Sequence, residues 1–103
     1  MERFDDPTQV IHVGVGQSFA LALAGNPTTG YTWQAAVDQA YLQPLDREFE
    51  PQAKGAGAGG REVLTFHALQ PGETTIRCEY KRPWQDQARQ TERFSVRIAP
   101  AKG

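Results

Sequence analysis

From Thr8 onward the chain alternates apolar and polar residues with period two, and Gly, Pro and Asn interrupt the alternation at short intervals. This is the signature of half-buried strands, and no stretch sustains the apolar stripe of an amphipathic helix. The pattern predicts strands near Thr8 to Val13, Gln17 to Ala24, Tyr31 to Val37, Leu42 to Phe49, Arg61 to Leu69, Glu73 to Lys81 and Gln90 to Ile98. Alternation also assigns their inward faces. Phe19, Leu21 and Leu23 face in on the second strand, Trp33, Ala35 and Val37 on the third, and Leu64, Phe66 and Ala68 on the fifth. Ile76, Cys78 and Tyr80 do so on the sixth, and Phe94, Val96 and Ile98 on the last. About seven short strands with frequent turns predict an all-β fold, an immunoglobulin-like antiparallel β-sandwich with Greek-key connections. A closed barrel is the alternative that meets the same pattern.

In a mainly antiparallel sandwich, successive connections alternate between the two ends. The connections Asn26 to Gly30, Pro51 to Gly60 and Arg82 to Arg89 therefore share one end, and they hold most of the residues that alternation does not explain. The opposite end carries plain turns such as Gln70-Pro71-Gly72.

Composition narrows the function classes. A chain of 103 residues, 39% of them hydrophobic, suits one globular domain spanning 1–103 with a modest core. With 11 basic and 12 acidic residues, a net charge of -1 and no basic run, neither a nucleic-acid surface nor a membrane patch is expected. No apolar run reaches the roughly 18 residues that span a bilayer, and Met1 to Asp6 lacks the apolar middle of a signal peptide. A soluble chain is expected, periplasmic or secreted if an export signal has been removed and cytoplasmic otherwise. The single Cys78 excludes an intramolecular disulfide.

The loops carry the candidate chemistry. In Asn26-Pro27-Thr28-Thr29-Gly30-Tyr31, Pro27 fixes its own φ and biases Asn26 toward extended geometry, while Gly30 permits the positive φ of a return turn. Such a loop is either a good turn or a stiff platform presenting Thr28 and Thr29, with little entropy to lose on binding. Gly55 to Gly60 matches the spacing of the dinucleotide fingerprint, but no buried parallel strand precedes it and no helix follows. It reads as a linker, or as exposed backbone offered to a partner. Trp84 follows Arg82 and Pro83 and stands among polar residues. It either caps the core or is an exposed binding hot spot, a role in which Trp and Arg are enriched. Cys78 could pair with His12 or His67 as nucleophile and base, but its inward register favours a core thiol, and no metal-ligand spacing is visible. No enzyme activity, metal or cofactor is expected.

Three loop sequences, NPTTGY at 26–31, GAGG at 57–60 and RPW at 82–84, stand in order at one predicted end. Together they resemble the chagasin family, small immunoglobulin-like inhibitors of papain-like cysteine peptidases. Glu92-Arg93-Phe94-Ser95-Val96 and Tyr80 agree with the pattern, while extra glycine and alanine ahead of Gly57 depart from it. The resemblance implies a reversible, competitive inhibitor of a papain-like cysteine peptidase, the organism's own or a host's; a monomer is expected. Asn26, Pro27, Thr28, Thr29, Gly30 and Tyr31 would cover the catalytic cysteine and histidine. Gly57, Ala58, Gly59 and Gly60 would run along the non-primed side, and Arg82, Pro83 and Trp84 would meet the primed side. The rival reading is an immunoglobulin-like adhesion or assembly module using the same loops without inhibiting a peptidase.

Overall fold

The computed structural model describes residues 1–52 and 59–101. Among the described residues eight strands are present: β1 Glu2–Phe4, β2 Ile11–Gly14, β3 Ser18–Gly25, β4 Thr32–Ala36, β5 Leu42–Pro51, β6 Gly60–Ala68, β7 Gly72–Lys81 and β8 Gln90–Ala99. They form two four-stranded sheets, β1-β3-β6-β5 and β2-β8-β7-β4. The chain crosses between sheets at β1–β2, β2–β3, β3–β4, β4–β5 and β6–β7, which gives the all-β immunoglobulin-like sandwich.

Period-two alternation places the core where the sequence pattern predicts. Phe19, Leu21, Phe66, Ile76, Cys78, Phe94 and Val96 are almost wholly buried between the sheets, with Trp33 at the loop end 2% exposed. Ala35, Val37 and Tyr80 are partly buried and pack against the same cluster.

Two features differ from expectation. The first predicted strand begins later, at Ile11, because the carboxylate of Asp6 accepts from the backbone and hydroxyl of Thr8 (2.9 and 2.6 Å) and holds residues 6–9 in a turn. The N-terminal residues before it form a further strand, β1, which pairs parallel with β3, as β2 does with β8. The sheets are therefore mixed rather than purely antiparallel. β1 is tied down by charge: Arg3 donates to both carboxylate oxygens of Glu50 at 2.6 Å. Arg3 and Glu50 lie on opposite edge strands of one sheet, so their side chains meet across its outer face. There the small Ala20 and Ala22 and their neighbour Val63 are buried.

The β3–β4, β5–β6 and β7–β8 connections emerge at one end of the sandwich. Gly25, the last residue of β3, pairs with Gly60, the first of β6, and Gly60 also pairs with Pro51 at the end of β5.

Candidate functional site

The first of these connections is a single 3-10 turn, Pro27–Thr29. Its local chemistry follows from residue type. Asn26 is extended, and its side-chain oxygen accepts from the Thr28 amide at 3.1 Å and the Thr28 hydroxyl at 2.7 Å. Pro27 occupies the first helical position, where a missing N–H costs nothing. The Thr29 hydroxyl donates to the Asn26 carbonyl at 2.8 Å, and the Thr29 and Gly30 amides close the turn onto Asn26 and Pro27 at 3.2 Å each. Gly30 then adopts φ 82°, the left-handed region that favours glycine. Both threonine hydroxyls are thus engaged inside the loop, while Pro27, Thr28 and Thr29 themselves are exposed.

The stem of this loop is anchored from two sides. The Tyr80 hydroxyl on β7 accepts from the Asn26 amide at 3.0 Å, and the indole N–H of Trp33 donates to the Ala24 carbonyl at 2.9 Å. Aromatic rings carry rigidity outward from the core. Tyr80 lies 5.0 Å from Trp33 and stacks on Tyr31 at 5.3 Å, and the guanidiniums of Arg82 and Arg89 lie 4.8 and 5.5 Å from the Tyr31 ring centre. Each cation contributes on the order of 0.5–1 kcal/mol at such exposed sites.

Arg82 to Gln85 form a turn closed by the Gln85 amide on the Arg82 carbonyl at 3.0 Å. Arg82 also reaches back, its Nε donating to the Thr29 carbonyl at 3.2 Å. A β-carbon at Gly30 would lie 3.5 Å from Cη2 of Trp84, so the indole stands beside the 3-10 turn. Trp84 is nevertheless 73% exposed, and Pro83 is exposed too. With this exposure the indole does not cap the core.

The structure therefore brings Asn26 to Tyr31 and Arg82 to Trp84 into direct contact. Gly59 and Gly60 stand beside them through the Gly25–Gly60 pairing; Gly59 is exposed, and its carbonyl accepts from Gln52 at 3.3 Å. Gly60 is buried and has a packing role: a β-carbon there would fall 2.2 Å from the Glu50 carbonyl. Gly57 and Ala58 lie outside the described residues. Sequence reasoning did not single out the Tyr80 hydroxyl or Arg89 as supports of the loop. The available signal was a tyrosine at the end of an inward-facing run, where its ring can be buried and its hydroxyl can reach a loop.

Nothing in this arrangement is poised for covalent chemistry. Cys78 is fully buried, and desolvation, assisted by the charge of Glu92, pushes its thiol up to about 12, so it holds its proton at neutral pH. His67 is hydrogen-bonded to the Ser18 hydroxyl at 2.8 Å, and His12 is exposed on β2. Among the described residues no cluster of His, Cys, Asp and Glu could hold a metal ion.

Comparison with known proteins finds relatives in both sequence and fold. The model of the chagasin family of peptidase inhibitors, I42, matches residues 12–98. Chagasin of Trypanosoma cruzi is 30% identical over 90 residues, 82% of each chain. Amoebiasin-1 of Entamoeba histolytica is 31% identical over 81 residues, 78% of this chain and 79% of that one. The crystal structure of a cysteine protease inhibitor from Entamoeba histolytica shares the fold, with a TM-score of 0.80 over 94% of each chain at 23% identity. A family match across most of the chain, joined to the same sandwich, means that this protein belongs to the chagasin family of peptidase inhibitors.

Proposed function

We propose that residues 1–103 act as one inhibitor domain that binds papain-like cysteine peptidases reversibly and competitively. In this reading Asn26 to Tyr31 enter the active-site cleft, with Thr28 and Thr29 nearest the reactive centre. Gly57 to Gly60 flank them on one side and Arg82, Pro83 and Trp84 on the other. The observation that carries it is a stiff, exposed tip: Pro27, Thr28 and Thr29 face solvent on a turn whose hydroxyls and amides are tied down. Little entropy is left to lose when such a tip is buried by a partner.

The same geometry accounts for blocking without being cut. A peptidase holds its substrate extended, whereas Pro27–Thr29 is curled and internally hydrogen-bonded. Threading it through the cleft as a strand would break the turn, so no peptide bond comes into attack geometry. The exposed backbone at Gly59 suits strand-like pairing with an enzyme, and Trp84 offers a large rigid surface for stacking. A wedge of three loops reaches a standard interface of about 1,600 Å² in total.

Titration of the purified protein against papain or a cathepsin, read with a fluorogenic peptide, tests the proposal. Inhibition that rises with inhibitor concentration and is relieved by substrate is expected. No inhibition at micromolar concentrations would sink it for these enzymes and favour the adhesion-module reading.

A further inference from the structure

Among the described residues Glu62 is the one buried charged side chain, 4% exposed. It lies on the inner face of β6, in register with Leu23 and Phe49. Its Oε2 accepts from the backbone N–H of Trp33 at 2.9 Å. β4 is the edge strand of the other sheet, and this N–H points away from its neighbour β7, where no ladder partner exists. The carboxylate therefore supplies the missing acceptor, and in doing so joins the two sheets at the loop end.

That junction matters because the Asn26–Tyr31 loop leaves one sheet at Gly25 and enters the other at Thr32. Its shape depends on how the two sheets are held at this end. Trp33 serves both stems: its indole N–H holds Ala24 on the entry side, and its amide is held by Glu62 on the exit side. Glu62 also reaches the entry side, since a β-carbon at Gly25 would lie 3.7 Å from its Oε1.

Burial of this carboxylate is not cheap. Desolvation raises its pKa above the ordinary 4.5, outweighing the Trp33 N–H and the half-exposed Arg47 guanidinium 3.7 Å away. An apolar residue of similar size would remove that cost and leave the edge N–H unsatisfied.

We propose that Glu62 is a positioning residue for the inhibitory loop: by accepting the Trp33 N–H it fixes the exit stem of Asn26–Tyr31 against the sheet that carries the entry stem. Thr28 and Thr29 are thereby presented at a set depth. This rests on the peptidase-binding role proposed for the loop.

The test is the dissociation rate of the papain complex for Glu62→Leu and Glu62→Gln, with Ile98→Val as a core change at the opposite end. Glu62→Leu should speed dissociation about tenfold. Glu62→Gln, which keeps an acceptor, should stay within about twofold of wild type, as should Ile98→Val. A folded Leu variant with wild-type kinetics overturns the proposal, as does a Gln variant as impaired as Leu.

A second measurement needs neither papain nor a Leu variant that folds. Amide exchange in the free wild-type protein should show Trp33 N–H as protected as the β7–β8 ladder, and exchange at the rate of an exposed loop amide overturns the proposal. If wild type fails to inhibit papain, the inhibitor reading fails for that enzyme, while the exchange experiment still decides whether Glu62 holds the stem.

Discussion

Replacement of Trp84 by alanine should separate binding from folding more cleanly than any other single change. Trp84 is 73% exposed, so an indole of about 200–250 Å² has roughly 150–180 Å² left to bury against a partner. At about 25 cal/mol per Å² this corresponds to about 4 kcal/mol, and truncation of a hot-spot tryptophan costs about 2 kcal/mol or more. The expected loss of about 2–4 kcal/mol is a rise in Ki of about 30- to 1,000-fold, carried mainly by faster dissociation. Stability should change by no more than about 0.5 kcal/mol, because an exposed side chain leaves no core cavity. Gly30, beside which the indole stands, is held by its own backbone turn. The assay pairs progress-curve kinetics against papain with urea unfolding of the free protein. A Ki within threefold of wild type, or a loss of stability matching that of a core truncation, would refute the assignment of Trp84 to the binding surface.

Tyr80→Phe keeps the stacking on Tyr31 and Trp33 but removes the hydroxyl that accepts from Asn26. A loss of about 0.5–1.5 kcal/mol, or a two- to tenfold rise in Ki, is expected, and an unchanged Ki would show that the hydroxyl does not hold the loop. Glu62 sets a pH dependence of definite sign. Its pKa is raised on folding, so the folded chain keeps a proton that the unfolded chain has released above the ordinary value of 4.5. Its contribution to stability is whole below that value and is lost as pH rises through the folded pKa. Urea unfolding between pH 3.5 and 7 should therefore show wild type losing stability relative to Glu62→Gln as pH rises, and the opposite slope would contradict the buried carboxylate. Cys78, with its thiol pushed up to about 12 and no exposure, should react with an aromatic disulfide reagent far more slowly in buffer than in urea. Equal rates would place the thiol at the surface.

Local sequence determined the strands that build the core and the end of the molecule at which the three loops gather. Alternation is a property of neighbouring residues, and the pleat converts it directly into an inward face, as at Phe19, Leu21 and Leu23. The turn chemistry of Asn26, Pro27 and Gly30 was equally legible, because Asx capping and a positive φ are decided within a few residues. The three ordered loop motifs even pointed to the family. Only the tertiary structure decided how that loop is held. β1 is short and charged, and it exists because its backbone pairs with β3 and Arg3 finds Glu50 across the outer face. Tyr80 meets Asn26, and Glu62 meets Trp33, across long separations in the chain. A glutamate in an inward register reads in sequence as an interruption of the pattern. It becomes a support when the unpaired N–H of an edge strand in the opposite sheet lies within hydrogen-bond reach, and which strand forms that edge is set by the packing of the two sheets.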